Sequence, residues 1–534
     1  MRFHSYNCSY ENQEKVMSYR VNHINKKTGI TYVYESVSCW DKEKKQSRNK
    51  QMCIGKLDPV SGKLIPSKRL KPEQPIAKNE TITASAEIVG PSIILDAITK
   101  QLGLEGLLKS CFPQEYRQIQ VMAYYLASQG GALSHCGTWS KSHAPSIETL
   151  TSQRISEILS SISLDKKQTF FTKWMNKILE DDYLCYDITS ISSYSELNEY
   201  IKYGHNRDKE KLPQLNLAIL FGQKGRLPVY YERTPGNITD VTTLHNLLKT
   251  FKALDVKTIH YVMDKGFYSK KNVDELLASR DQFLLSVPLN NKWVQHVIDD
   301  IHETIHGPEG YQKLDDEILY VHSRLYPWGK DKRRCYVHLY YNAHRRAVAV
   351  DKFMEELVGY KKELESGKAI AANQEAYDAF CVIKTTPKKG ITVSYNTSAV
   401  NQYISRYSGF QALLTNSIKD SLIALQIYRD KDVVEKSFND LKNQLDMKRL
   451  RMHSSTTADG RLFVQFIALI YMSALRKEMR KSGLIKQYTV RELLEEMATL
   501  TKVKYSGKHG HLLTEVTKPQ REILAGLGIV IPDT

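Results

Sequence analysis

Two aspartates stand where apolar, strand-like runs give out. Asp187 follows Leu184-Cys185-Tyr186 at the end of the first such run, and Asp264 follows Ile259-His260-Tyr261-Val262-Met263. In open α/β sheets, ligands bind in the crevice beyond the carboxyl ends of strands, so two such aspartates can share one crevice. Carboxylates are hard oxygen ligands, and Mg²⁺ takes only a few of them while keeping water and substrate phosphate in its shell. Two such ions about 4 Å apart can activate an attacking oxygen and stabilise a leaving one in phosphodiester chemistry. The ordinary alternative is that aspartates at strand ends cap a following helix or turn.

A third carboxylate lies in residues 427–445 (IYRDKDVVEKSFNDLKNQL), which read as one helix. Tyr428, Lys431, Glu435 and Lys442 are spaced i, i+3, i+7 and i+14 and line one stripe. Val434, Phe438, Leu441 and Leu445 form an apolar stripe about 100° away. Burying the apolar stripe against a sheet would point the Tyr/Lys/Glu/Lys stripe at its edge. A solvated helix face is the plain alternative, and it leaves a tyrosine and a glutamate between two lysines unexplained. Asp181, Asp182, Asp430 and Asp432 compete as ligands by proximity, although Asp430 and Asp432 lie off the Glu435 stripe.

These residues need a scaffold. Residues 30–56 read as two strands around a basic turn, and 58–75, with four prolines and several lysines, as a linker. Residues 90–180 carry helical apolar spacing. Strands are then expected at 183–188, 215–221, 227–232, 259–263 and 283–287, with Gly222-Gln223-Lys224-Gly225 as a hairpin turn and a helix starting at Ser269. Strand-like pieces at 317–325 and 334–341 and a charged helix near 351–366 interrupt the pattern, so 288–407 reads as an insertion domain. A returning strand at 410–414 and helices at 427–445 and 457–480 follow. The expected fold is α/β. Its domains are a basic N-terminal region with linker at 1–80, a helical region at 81–182, a split core at 183–287 and 408–480, the insertion, and a basic helical region at 481–534.

The net charge of +17 is concentrated at the ends of the chain. Residues 1–80 hold 16 Lys/Arg against 8 Asp/Glu, residues 436–534 hold 17 against 10, and the stretch between is nearly balanced at 43 against 41. Basic flanks suit a polyanion, as they also suit simple solubility. The eight cysteines form no C-x-x-C pair, which predicts reduced structural thiols and neither a zinc site nor a disulfide framework. The apolar run at 462–475 is shorter than the roughly 20 residues a bilayer needs, and MRFHSYNCSYENQEK lacks an apolar signal segment. A cytoplasmic protein without a membrane partner is expected.

Tyr428-x2-Lys431-x3-Glu435-x6-Lys442 closely resembles the Y-x2-R-x3-E-x6-K signature of bacterial insertion-sequence transposases of the DDE class. Three more blocks resemble that family. They are Tyr186-Asp187-Ile188-Thr189-Ser190, then Gly204-His205-Asn206-Arg207-Asp208 with Pro235-Gly236-Asn237 and Asp240, and Asp264-Lys265-Gly266-Phe267. The carboxylates are separated by 77 and 171 residues, and the second gap accommodates an insertion. The resemblance implies a ribonuclease-H-like mixed sheet flanked by helices and interrupted by a β-rich insertion. It implies Asp187, Asp264 and Glu435 as catalytic ligands of two Mg²⁺ ions, with Mn²⁺ as a substitute. Tyr428, Lys431 and Lys442 would contact DNA phosphates. Lys431 replaces the usual Arg and lacks its bidentate grip, so Arg429 is a further candidate. Arg207 and Asp208 are candidates for a supporting shell or for a turn salt bridge. The implied activity is endonucleolytic cutting of double-stranded DNA at terminal inverted repeats, followed by joining to target DNA. A homodimer in the synaptic complex and a place at the nucleoid go with it, and the family often frees the second strand through a hairpin. A nuclease of the same fold without strand transfer, and a catalytically silent DNA-binding repressor, are the alternatives.

Overall fold

The computed structural model describes residues 18–41, 46–67, 83–179, 182–194, 198–208, 210–253, 259–314, 316–386, 390–450, 454–506 and 510–530. The chain divides into two compact units, Met1–Thr83 and Ala84–Thr534. In the first, the expected strand pair is present as Thr31–Asp41 and Gln46–Leu57. Ser18–Ile24 and Leu64–Pro66 add two more strands to form a four-stranded antiparallel sheet. The strand Leu64–Pro66 falls inside the stretch read as linker, and the rest of that stretch, from residue 68, lies outside the described residues.

The second unit is built on a ten-stranded sheet. Its strands are β1 (Tyr183–Ser193), β2 (Gln214–Gly222), β3 (Pro228–Pro235), β4 (His260–Met263), β5 (Gln282–Val287), β6 (Tyr311–Leu314), β7 (Glu317–Trp328), β8 (Arg333–Tyr341), β9 (Phe410–Thr415) and β10 (Arg449–Leu450). They lie in the order β6-β7-β8-β9-β5-β4-β1-β2-β3, with β10 paired parallel to β1. Strands β1, β4 and β5 run parallel, while β2, β3 and β9 run against their neighbours. Every residue of β2 is buried, as a central strand covered on both faces requires.

Helices cover this sheet. The helix Ser455–Ser482 packs against the helical layer from Gly90 to Ile178. By length and composition it could cross a bilayer, which corrects the reading of a short apolar run. Its apolar window is 94% buried inside the protein, as befits a core helix.

The structure revises four expectations. The first strand does not end at Ile188 but runs on to Ser193, because Asp187 to Ser192 keep pairing with β2 after β4 has stopped. The stretch at 288–407 is divided. Strands β6, β7 and β8 extend the main sheet through β9, whereas residues 343–406 form a mostly helical lobe with one β-hairpin. That lobe has small cores of its own around Phe353, Leu357 and Val400, and around Leu364, Tyr377, Cys381 and Val393. Residues 481–534 are not purely helical, since Thr501–Tyr505 and His511–Leu513 form a sheet with Ala84–Ile88. Finally, 427–445 is not one helix but Ser421–Arg429, Asp432–Asn439 and a π-turn at Asp440–Gln444.

The last break has a cause far away in the sequence. The Gln223 side-chain amide donates to Ile427 O at 2.7 Å, taking the carbonyl that the Lys431 N–H would use in a continuous helix. Lys431 N–H turns to Tyr428 O instead, at 3.3 Å. Cys53, Cys111, Cys136, Cys185, Cys335 and Cys381 are free thiols.

Candidate active site

Strands β1 and β4 pair in parallel up to Tyr186↔Met263, so Asp187 and Asp264 come next, side by side on adjacent strands. Neighbouring strands lie roughly 4.8 Å apart, which puts the two carboxylates within reach of one another. Asp264 is the last extended residue before the turn Lys265–Phe267, and its Oδ1 accepts from Lys265 N–H at 2.8 Å. The capping alternative is therefore real for Asp264, although one short bond leaves its second oxygen open. Asp187 Oδ1 accepts from Ile188 N–H at 2.8 Å.

Helix α1 (Ser421–Arg429) and helix α2 (Asp432–Asn439) bring the remaining groups. Tyr428 donates its hydroxyl to Asp264 Oδ1 at 2.8 Å. Burial and the adjoining Asp264 carboxylate push the Tyr428 phenol far above its usual range, so it stays a donor. Lys431, at the break between the helices, is only 7% exposed. Burial disfavours its charge, yet Asp187, Asp264 and Glu435 together outweigh that and hold it protonated above the usual lysine range. Burial raises the Asp187 carboxyl to about 6 against the opposing pull of Lys431. A desolvated acid beside a desolvated ammonium is expected to behave this way.

Glu435 stands further out. Its side chain is 62% exposed, and it meets the group through Lys431 Nζ at 3.4 Å. Among the described residues, no three carboxylate, imidazole or thiolate groups stand close enough to hold one metal ion together. The structure thus gathers Asp187, Asp264, Tyr428 and Lys431, with Glu435 at the rim.

The other expected contacts have acidic partners. Lys442 Nζ lies 2.8 and 2.7 Å from the two carboxylate oxygens of Asp208. Arg429 pairs with Glu317 on β7. Of the competing acids, Asp182 accepts from the amides of Lys224 and Gly225 in the hairpin turn, at 2.9 and 2.8 Å. Asp432 pairs with Lys436, and Asp430 accepts from Gln426. Asp181 lies outside the described residues.

Arg207 does more than brace a turn. Its guanidinium lies 2.6 Å from both oxygens of Asp240, and its charge helps hold Asp187 ionised. Asp240 in turn packs under Gly266, where a Cβ would sit 2.9 Å from Asp240 Oδ2. The Arg207–Asp240 pair therefore supports the turn that carries Asp264, and a side chain at Gly266 would have to push the Asp240 carboxylate aside. Gly204 is equally constrained, since a Cβ there would meet Gly236 O at 1.9 Å. This close approach seats the loop bearing Arg207 and Asp208 against the β2–β3 edge. Gln214 fastens it by donating to His205 O at 2.8 Å.

Sequence reasoning missed Gln223 and Glu232. Gln223 looked like a plain turn residue, and its contact to Ile427 spans 204 residues, so nothing local signals it. Glu232 was visible as an acid within the strand PVYYERTP, and burial raises its carboxyl to about 7. From Asp264 and Tyr428 a cleft of about 1380 Å³ opens toward the 343–406 lobe, where Phe353, Tyr360, Phe380 and Tyr403 line it.

Residues 179–471 match the family model described as a transposase DDE domain. No curated protein matches the chain. The cryo-EM structure of the piggyBac transposase synaptic complex with hairpin DNA is a distant likeness. It has a TM-score of 0.35 and 8% identity over 77% of this chain and 76% of that one. The family match spans more than half of the chain and includes Asp187, Asp264 and Glu435, so the chain belongs to the DDE transposase family.

Proposed function

We propose that the protein cuts transposon ends and joins them to target DNA by two-metal phosphoryl transfer, with Asp187, Asp264 and Glu435 as the ligands. The carrying observation is the pair of aspartates on adjacent parallel strands with the Lys431 ammonium drawn among them and Glu435. The donor set suits Mg²⁺ or Mn²⁺, being hard oxygens of which one is desolvated enough to gain from a nearby cation. Glu435 completes it by turning inward from the rim, a change of side-chain rotamer on an exposed helix face.

Bound there, the ions supply Lewis-acid activation of the attacking oxygen and neutralise the leaving one. The chain's own residues position and exchange charge. Tyr428 fixes the Asp264 carboxylate, and Arg207 with Asp240 fixes its turn. Lys431, Lys442 and Arg429 trade their carboxylate partners for DNA phosphates, with Tyr428 alongside. Water attacks the terminal phosphodiester and leaves a 3′-hydroxyl on the transposon end. That hydroxyl then attacks target DNA in line, forming one P–O bond as another breaks.

A ribonuclease-H-like core at 183–287 and 408–480 is the architecture we infer, supported by the parallel β1, β4 and β5 beside the antiparallel β2–β3 hairpin. Residues 1–80 recognise the terminal repeats, 81–182 form a helical region, the 343–406 lobe faces the cleft, and the basic stretch 436–534 makes backbone contacts. The element belongs with bacterial insertion sequences of the Y-R-E-K group. Its protein acts in the cytoplasm at the nucleoid, as a homodimer when two ends are synapsed.

Incubating the full chain with DNA from its own flanking genome, a target plasmid and Mg²⁺ tests the reading. Cleaved ends with 3′-hydroxyls and joined products are expected. Pre-cleaved ends that never join would leave a nuclease, and binding without cleavage would leave a silent repressor.

A further inference from the structure

On the far side of helix α2 from Glu435 lies a second cationic cluster. Helix α3 (Ser455–Ser482) presents Ser473, Arg476, Lys477 and Arg480 along one face, spaced i, i+3, i+4 and i+7. Lys436 and Ser437 of α2 and Arg226 of the β2–β3 turn close the pocket. Five cations thus converge, and among the described residues the acids that answer them are Asp432 and Asp440. Asp440 is taken up by Arg476, Asp432 by Lys436, and Lys477 Nζ donates to Gly225 O at 3.0 Å. Among the described residues neither Arg226 nor Arg480 forms an ion pair.

The cluster is built at some cost. Arg226 sits at φ 54°, a left-handed conformation that is uncommon for a residue with a side chain. Burial, together with the like charges of Arg226 and Arg476, pushes the Arg480 guanidinium below its usual range. Asp432 offsets this only in part, and half-buried like charges left partly offset are stabilised by an anion. The pocket is narrow, about 20 Å³, which admits one water-sized atom such as a non-bridging phosphate oxygen.

We propose that this pocket between the 222–227 turn and helices α2 and α3 is a phosphate site that grips a DNA backbone outside the catalytic crevice. It rests on the reading of the chain as a DNA-processing enzyme. Lys431, at the start of α2, faces the aspartates with Glu435 at the rim, while Lys436 and Ser437 of α2 line this pocket, so one duplex lying across α2 would reach both. Arg226 and Arg480 supply the free donors, and guanidinium geometry matches phosphate.

Duplex binding by the full chain, followed by fluorescence anisotropy over a salt series, tests this against the double variant Arg226→Gln/Arg480→Gln. The variant should bind on the order of 10-fold more weakly near 0.15 M salt. Its slope of log affinity against log salt should be shallower by about two. Its melting temperature should be unchanged or higher, because like-charge crowding is relieved. If the double variant melts early, Lys436→Gln, at an exposed position, should still lower the slope by about one. Unchanged affinity and slope in variants that fold overturn the proposal while leaving the enzyme reading intact. Wild-type protein that binds no duplex at any salt overturns both. Inorganic phosphate that raises the melting temperature of wild type but not of the variant, with DNA binding equal, assigns the pocket to a free anion and overturns the DNA source.

Discussion

The four-stranded sheet of the N-terminal unit and the ten-stranded sheet of the second unit use the same ladder chemistry with opposite burial. In the first, Val33, Ser36 and Gly55 are buried, while Tyr19 and Met52 are 47% and 56% exposed. In the second, all of β2 and nearly all of β1 and β5 are buried. A sheet needs a hydrophobic face to be stable by itself, and the small one spends its faces on Tyr19, His23 and Tyr34 on one side and Arg20, Glu35 and Lys50 on the other. Burial therefore fixes geometry in the large sheet, where two carboxylates must meet. It leaves side chains free for a partner in the small one.

If that division of labour is right, chemistry and recognition should separate by mutation. Asp264→Asn should lower Mg²⁺-dependent cleavage by at least about 10³-fold while binding of DNA ends stays within a few-fold. Lys50→Gln with Lys56→Gln should do the reverse, flattening the salt dependence of binding by about two while cleavage at saturating DNA persists. Cleavage unaltered by Asp264→Asn would remove that residue from the site.

Stability should follow the same line. Leu220→Ala, at a fully buried position of β2, should cost about 2–5 kcal/mol in denaturant unfolding. Met52→Ala, in the exposed sheet, should change it by less than about 0.5 kcal/mol. Equal costs would break the comparison.

Glu232 sharpens it through pH. Burial raises its folded carboxyl to about 7, above the ordinary glutamate value of about 4.5, so the folded state holds its proton more tightly. That contribution to stability is complete below about 4.5 and is lost as pH rises through 7. Glu232→Gln should therefore stabilise the protein relative to wild type at pH 8, on the order of 2 kcal/mol, and much less at pH 5. A pH-independent difference in melting temperature would rule out buried ionisation as the cause. The smallest effect is expected from Asp208→Asn, which releases Lys442 and should tighten DNA binding only a few-fold in the same anisotropy titration.

Much of the large sheet is written locally. Apolar runs and turn residues mark β2, β4 and β5 to within a residue and β3 to within three, because apolar strands bounded by Gly, Pro and Asp carry their own signal. The order Tyr-Lys-Glu-Lys along 428–442, and the two aspartates after apolar runs, were equally legible. What no local pattern could decide was how those side chains are aimed. Gln223 reaches across the fold to break the 427–445 helix at Lys431, so the straight stripe becomes an inward lysine, a rim glutamate and a lysine held by Asp208. Sequence set which chemical groups are present and which segments extend or coil, since these depend on neighbours along the chain. Tertiary contacts alone set which carboxylate each cation answers, because a buried charge settles wherever distant partners offset its lost hydration.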